Sequence, residues 1–237
     1  MRPRSLIKGA RRTGPCAVVA VLVVALAGCG SSSPSGNGVA AKSPAEIVAA
    51  ARAAVAGAAT VHVSGSILSE GKPISLDMEL VSGKGGKGQI SAEGLRVDLI
   101  AVEKAVYVNG SSSLYARLAG PAAAKVLQGH WLKVPSSSPS FGSLSAVTSL
   151  SGLVDTTLAA HGTLTRAPAR KIEGRPAVGV SDPSHRGTLY VAATGEPYPL
   201  EITKSGSGGR IVFDRWNQPV TLTPPPDPIN VNELSGD

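Results

Sequence analysis

The chain has 237 residues, of which 42% are hydrophobic and 16% are charged. This composition is too apolar for a disordered chain and too often interrupted by polar residues for a protein with several membrane spans. Aromatic residues make up only 3% of the chain. A surface that binds single-stranded nucleic acid needs aromatic side chains for base stacking, so that class is disfavoured.

The positive charge is concentrated at the N-terminus. The chain has 23 basic and 16 acidic residues, which gives a formal net charge of +7. Five of the basic residues and none of the acids lie within residues 1–28, so the remainder carries a net charge of only +2. The overall charge therefore does not indicate a nucleic-acid partner.

Residues 1–28 have the features of a secretory signal peptide: a basic start followed by the apolar run Ala17–Ala27. That run is too short to span a hydrocarbon core of about 30 Å as a helix. It ends at Leu26-Ala27-Gly28-Cys29, which resembles the lipobox of bacterial lipoproteins. In that class a diacylglyceryl group is attached to the cysteine, which becomes the first residue after cleavage. The alternative is an ordinary secretory signal with a chance cysteine.

Cysteine usage agrees with this interpretation. Cys16 and Cys29 are the only cysteines, so the mature domain is expected to have no disulfide, no cysteine metal site and no thiol nucleophile. We expect lipidation at Cys29, with palmitate among the acyl chains, and a location on the extracytoplasmic face of the cell membrane. Residues 29–43 then form the lipidated cysteine and a flexible linker, and residues 44–237 form a single domain.

The first predicted element of that domain is a short helix over Ala45–Ala56. Ser43 is a suitable N-cap, Pro44 fits the first helical position, and Glu46 completes a capping box. From residue 60 the apolar period changes to two. The alternation predicts about six antiparallel strands over residues 60–118, the last of them at Leu114–Leu118.

The middle of the chain favours helices, and the last third returns to strands. We expect a short helix over Ala119–Gln128, a short strand over His130–Val134 and a helix over Ser143–Ala160. Six further short strands follow over residues 162–216, and residues 223–228 form an extended, proline-rich tail. The pattern predicts an α+β protein.

No catalytic constellation is recognisable. The sequence has no G-x-S-x-G, H-E-x-x-H or P-loop motif, and its four histidines share no ligand spacing. The spacing of Asp77 and Glu79 predicts that they are two solvated carboxylates on the polar face of a strand. We therefore expect no enzyme activity, no metal and no cofactor. An envelope hydrolase is an alternative, and it would require Ser184 or Ser207 to lie near His185.

An ordered set of short motifs resembles a known family. Tyr107-Val108-Asn109-Gly110, Leu114-Tyr115-Ala116 and the segment 129–134 (GHWLKV) resemble the Y-x-N-G, L-Y-A and G-x-W-x-x-V motifs of the LppX/LprG/LprA/LprF lipoproteins of mycobacteria. Segments 171–174, 189–191, 199–202 and 213–220 resemble the later strands of that family. The resemblance covers about residues 40–230, behind a lipobox, and suggests an actinobacterial protein.

The resemblance implies a half-barrel: a strongly curved antiparallel sheet with helices on its concave side, enclosing an apolar cavity. Members of the family bind acylated lipids or glycolipids and carry them within the cell envelope, which adds an envelope lipid exporter as a candidate partner. Strand alternation and the predicted helix then give the cavity-facing candidates. They are Val63, Ile67, Leu76, Met78, Leu80, Leu95, Val97, Leu99, Val106, Leu150 and Val154.

The apolar period by itself leaves two structures open. A sheet with one apolar face can pack against helices as a solid core, or it can stay partly open and hold a lipid. The alternative function is therefore an envelope lipoprotein that binds a protein or wall partner through a domain with a solid core. The two hypotheses differ in whether the inner face of the sheet is available to an acyl chain.

Overall fold

The structure of the chain is a computed structural model. The structure describes residues 36–69, 71–134, 142, 145, 148–152, 162–184, 186–206 and 208–231. Cys29, Val154 and most of the predicted helix over residues 143–160 lie outside the described residues. So do His185 and Ser207, on which the hydrolase alternative depends.

The described residues form one twelve-stranded sheet that is curved and unclosed. The strands are β1 (Thr60–Ser69), β2 (Lys72–Val81), β3 (Gly85–Ala92), β4 (Leu95–Val102), β5 (Ala105–Gly110), β6 (Leu132–Val134), β7 (Thr165–Ile172), β8 (Arg175–Asp182), β9 (Gly187–Ala192), β10 (Pro199–Lys204), β11 (Gly209–Asp214) and β12 (Ile229–Asn230). Their order is β12-β6-β5-β4-β3-β2-β1-β11-β10-β9-β8-β7. The predicted α+β fold with a strongly curved antiparallel sheet is confirmed.

Two hairpin-connected meanders make up most of this sheet, and β1 joins them. Strands β1 to β5 pair with their neighbours in sequence, and so do β7 to β11. Strand β1 also pairs antiparallel with β11, so that Val63 lies opposite both Met78 and Phe213. Among the strands of the described residues, only the short β12 is parallel to its partner, β6. The two strand-rich parts of the sequence therefore share one sheet.

Helix α1 (Pro44–Ala56) begins and ends where the sequence predicts. The Ser43 side chain accepts a hydrogen bond from the Glu46 amide, and the Glu46 carboxylate accepts one from the Ser43 amide at 2.8 Å. The buried side of α1, with Ile47 and Ala51, packs in one core cluster with Val178 and Val191 of β8 and β9. The capping box thus places the helix start, and burial of apolar side chains holds the helix on the sheet.

Part of the segment predicted as a linker packs against the domain. Residues Val39–Ala41 form a 3-10 turn, and Val39 is 1% exposed within the cluster that contains α1. The Asn37 side-chain amide donates to the carbonyl of Ala192 at 2.9 Å. Residues 36–42 therefore extend the folded domain towards the N-terminus.

The predicted strand at Leu114–Leu118 is wrong, because this segment begins helix α2 (Ser112–Leu127). The Ser111 hydroxyl caps the helix by accepting from the Leu114 amide at 3.3 Å. The alternation of five residues also matches helical spacing, since Tyr115 is buried in one cluster with Ala124 and Leu127. The helix includes the segment predicted as a separate short helix and is kinked at Gly120, where φ is +88°.

The described part of the chain contains no helix that is both long and apolar enough to cross a membrane. Helices α1 and α2 instead contact the sheet through one apolar side.

A buried carboxylate is paired with two arginine side chains on the face of the sheet opposite α1. Glu201 on β10 is only 2% exposed, and both of its oxygens accept hydrogen bonds, one from Arg170 and one from Arg210. The Arg170 guanidinium also lies 3.8 Å from the ring centre of Tyr190. A buried charge requires such partners, so these two arginines offset the cost of placing Glu201 in the core.

We expect Gly65→Ala to destabilise the domain by about 3 kcal/mol. Gly65 has a φ of +142°, and an added Cβ would lie 2.1 Å from the backbone oxygen of Arg210 on β11. Urea unfolding measures this in a soluble form that begins at residue 30, which retains every residue of the described core. The matched control is Gly57→Ala, because a Cβ at Gly57 meets nothing closer than 3.6 Å. Equal stability of the two variants would contradict the close approach of β1 to β11.

Candidate functional site

One face of the sheet, here called the inner face, carries the apolar side chains that the helices cover. The strand register aligns these positions across neighbouring strands, as in the row Val63, Met78, Gly88 and Leu99 from β1 to β4. The next row runs through Gly65, Leu76, Ile90 and Val97, and another runs through Ile67, Ile74, Ala92 and Leu95. The alternation in the sequence therefore produces a continuous apolar surface.

The part of the inner face near the start of β1 is solidly packed. Val63 is 0% exposed, Leu80 is 0% exposed and Met78 is 2% exposed. These side chains form one core cluster with Val55 at the end of α1 and with Leu150. This part of the sheet is filled by the side chains of the protein itself.

The opposite end of the same strands is more open. Ile67 is 38% exposed. The other side chains of the row that contains Gly65 and of the row that contains Ile67 are half-buried. We call these residues the open patch: Ile67, Ile74, Leu76, Ile90, Ala92, Leu95 and Val97. Neighbouring apolar side chains that keep contact with water are typical of a surface that binds a ligand or a partner.

Glycines reduce the bulk of the inner face at the edge of the open patch. Gly65 and Gly88 occupy inner-face positions beside Leu76 and Met78, where other strands carry aliphatic side chains. An added Cβ at Gly88 would lie 2.1 Å from the backbone oxygen of Asp77 and 2.7 Å from the sulfur of Met78. Only glycine permits the close approach of the strands and side chains here.

An ion-pair network lies beside the open patch and links it to α2. The Lys72 ammonium lies 2.6 Å from the Glu93 carboxylate, and the Arg117 guanidinium of α2 lies 3.2 Å from its other oxygen. The hydrogen bond from Lys72, with a further contribution from Arg117, holds the pKa of Glu93 below its ordinary value. The network connects the β1–β2 and β3–β4 turns to the helix.

The structure places ten of the eleven predicted cavity residues, since Val154 lies outside the described residues. The six buried ones are Val63, Met78, Leu80, Leu99, Val106 and Leu150. The other four, Ile67, Leu76, Leu95 and Val97, belong to the open patch. All of the strand positions among them lie on the inner face by register.

Sequence reasoning missed three residues of the open patch: Ile74, Ile90 and Ala92. Ile74 alternates in phase with Leu76, so the period of two was a sufficient signal for it. Strand β3 gave a weak signal because Gly86 and Gly88 occupy its inner positions, and its pairing with β2 and β4 decides the orientation of Ile90.

Asp77 and Glu79, the two carboxylates considered for catalysis, are engaged in structural contacts, and so is His62. His62 is buried between Asp214, at 2.5 Å from Nδ1, and Asp77, at 3.1 Å from Nε2. Glu79 pairs with Lys87 and Arg215. Within the described ranges, no group of three His, Cys, Asp or Glu side chains is arranged to hold a metal ion.

The comparisons with known proteins identify the fold. No protein-family model matches this chain, and no curated protein sequence matches it. The crystal structure of LprF from Mycobacterium bovis matches with a TM-score of 0.53 and 15% identity, covering 77% of this chain and 96% of LprF. The crystal structure of the Mycobacterium tuberculosis lipoprotein LppX matches with a TM-score of 0.48 and 15% identity, covering 76% of this chain and 98% of LppX.

The chain therefore has an α+β half-barrel fold like that of LprF. This confirms the half-barrel architecture that the resemblance in the sequence implied, whereas the enclosed apolar cavity stays a prediction. At this level of identity the similarity establishes the architecture, and the chemistry of the site has to be argued from the residues of this chain.

Tyr115→Phe is expected to lower the free energy of unfolding by about 1 kcal/mol at neutral pH, because the Tyr115 oxygen accepts from the Gly110 amide at 2.7 Å. Burial also raises the pKa of Tyr115 above its ordinary value. The unfolded state therefore loses this proton first, and stability falls as the pH rises above about 10. Denaturant unfolding at pH 8 and at pH 11 measures both effects. The variant should lose less stability than the parent between the two pH values, and an equal loss would contradict this role of Tyr115.

Proposed function

We propose that this protein is a membrane-anchored lipoprotein of the cell envelope that binds acylated lipids or glycolipids at the open patch and carries them within the envelope. An envelope lipid exporter is a candidate donor or acceptor. The observation that carries the proposal is the exposure of the open patch on the inner face of an unclosed, curved sheet, at Ile67 and its half-buried neighbours.

The energetics of an acyl chain make such a surface useful. Two chains of about sixteen carbons expose some thirty methylenes to water, and each buried methylene contributes about 0.8 kcal/mol. The aliphatic side chains of the open patch supply apolar surface for those methylenes. An acyl chain in turn removes Ile67, Leu76 and Val97 from water. Binding and release of this kind need no catalytic residue.

The predicted anchor fits the same role. Two acyl chains on Cys29 hold a protein stably at a membrane, where one chain would bind only reversibly. The residues between Cys29 and residue 36 would then connect the membrane surface to the folded domain. The anchor would keep the open patch close to a source of lipid.

The packed part of the inner face supports the alternative function. Here the side chains of Val55 and Leu150 pack in one core cluster with Val63, Met78 and Leu80. Such packing is expected for a domain that binds only a protein or wall partner. The two hypotheses make opposite predictions for the open patch: an acyl ligand contacts it in the first and leaves it free in the second.

Leu76→Asp is expected to abolish the lipid that co-purifies with the soluble form beginning at residue 30. A carboxylate on the open patch would lose its hydration when an acyl chain covers it, which opposes binding. Mass spectrometry of organic extracts, normalised to protein, measures the bound lipid in the parent and the variant. Ser75→Asp is the matched control, because Ser75 is exposed on the same strand and faces away from the inner face.

Lipid-free parent protein that takes up no acylated lipid from vesicles would refute the carrier function. Equal lipid content in the Leu76→Asp and Ser75→Asp variants would refute the assignment of the open patch. Urea unfolding of both variants confirms that the comparison is made between folded proteins.

Cys29→Ser in the full-length chain is expected to eliminate incorporation of radiolabelled palmitate in a lipoprotein-processing bacterial host. The diacylglyceryl group requires the thiol as its attachment point, and serine has none. Cys16→Ser is the control and should label like the parent, because Cys16 lies within the predicted signal peptide. Continued labelling of the Cys29→Ser variant would exclude this residue as the anchor.

A further inference from the structure

A groove of about 470 Å³ lies on the outer face of the sheet, opposite the inner face. Its floor is formed by polar residues of β2, β3 and β4, among them Asp77, Glu79 and Lys87, with Asp98 further along. Arg215, in the segment after β11, and Trp131, before β6, also line it. Its volume is within the range of sites that hold small molecules or short chain segments.

The charges of this groove balance. Its lining contains three carboxylates, those of Asp77, Glu79 and Asp98, and three cationic side chains, those of Lys87, Arg96 and Arg215. Five of the six pair within the groove, whereas Asp77 lies 3.1 Å from His62 Nε2. Glu79 lies 3.4 Å from the Lys87 ammonium and 3.3 Å from the Arg215 guanidinium. Arg96 lies 3.0 Å from Asp98.

Such an array presents donors and acceptors side by side with no net charge. A phosphate, a nucleic acid or a cationic peptide would meet as many repulsive as attractive groups here. A hydroxyl group both donates and accepts hydrogen bonds, so neighbouring sugar hydroxyls can bridge a carboxylate and a guanidinium without upsetting their balance. The Gln89 amide in the same floor adds a further donor and acceptor.

Trp131 supplies the apolar surface that a sugar ring also requires. Its side chain is half-buried and packs against a cluster of Val102, Ala105 and Tyr107, so its position is fixed before a ligand arrives. Its backbone oxygen accepts from the Ile229 amide at 2.8 Å, which ties this wall to β12. An aromatic surface beside paired charges suits a ring that has polar hydroxyls on its edge and C–H groups on its faces.

We propose that the outer-face groove binds a neutral carbohydrate chain, with Trp131 against a sugar ring and the Arg96–Asp98 and Glu79–Arg215 pairs on its hydroxyls. This site is separate from the open patch and adds a second binding function to the protein. A lipid-anchored protein with such a groove could hold a polysaccharide at the membrane surface.

The two tryptophans of the chain provide a direct test. Their indole N–H signals appear separately in a ¹H–¹⁵N spectrum of the soluble form, and a Trp131→Phe variant assigns them. The probes are maltotetraose, cellotetraose and an α-mannotetraose, each added up to about 10 mM, with tetragalacturonate as the charged comparison. At least one neutral probe should shift the Trp131 signal.

Trp216 is an internal control for this experiment. Its indole N–H donates to the Pro199 carbonyl at 3.2 Å and its ring stacks on Tyr198, away from the groove lining. Its signal should stay in place. Tetragalacturonate should bind more weakly than the best neutral probe, because the groove has no excess of positive charge. Binding of the neutral probes should be insensitive to salt, because they carry no charge to be screened.

Substitutions distinguish binding of the probe in the groove from nonspecific binding elsewhere on the protein. Asp98→Ala should raise the Kd of the best neutral probe about tenfold, since it removes an acceptor and releases Arg96 from its pair. Glu93→Gln lies outside the groove lining and should leave that Kd unchanged. Leu76→Asp should also leave it unchanged while it removes bound lipid, so failure of one binding function does not imply failure of the other.

The proposal is overturned if no neutral tetrasaccharide shifts the Trp131 signal, if Trp216 shifts to the same extent, or if Asp98→Ala and Glu93→Gln have equal affinity. Tighter binding of tetragalacturonate than of every neutral probe would also overturn it, because that result assigns the groove to anions.

Discussion

The pairing of β1 with β11 is the contact on which the rest of this fold depends. It joins two meanders that are far apart in sequence, and it places Val63 opposite Phe213 so that both inner faces become one surface. Without it each meander would expose an unpaired edge strand, which is a site for aggregation. The contact requires a backbone approach at Gly65 that leaves no space for a Cβ. Formation of so non-local a pair is entropically costly, and the apolar cluster around it offsets that cost.

An unclosed sheet has two faces, and in this protein they have different chemistry. On the inner face, α1 and the packed cluster cover one region, while the open patch around Leu76 and Val97 retains contact with water. On the outer face, paired charges and Trp131 line a polar groove. One curved layer can therefore offer an apolar surface and a hydrogen-bonding surface at the same time. Combined with an acyl anchor, these surfaces would place a lipid site and a carbohydrate site beside the same membrane.

Local patterns in the sequence were sufficient to predict those helices and strands that depend on residues close together in the sequence. The Ser43–Glu46 capping box predicted the start of α1, and its last residue, Ala56, was also as expected. Alternation predicted most strands to within a few residues and identified the inner-face side of β1, β2 and β4. The same rule failed at Leu114–Leu118, where five alternating residues fit a helix as well as a strand. The cap at Ser111 and the burial of Tyr115 beside Ala124 and Leu127 decide for the helix.

The sequence by itself predicted export of the chain, and it determined a domain of alternating strands with one apolar face and most of the residues that this face contains on β1, β2 and β4. Only the tertiary structure decided the strand order, which inner-face residues are packed and which form the open patch, and the existence of the outer groove. The physical reason is the range of the interactions. Alternation and capping act between residues a few positions apart, whereas the groove brings Asp77, Trp131 and Arg215 together from distant segments. No local pattern in the sequence specifies that these three side chains meet.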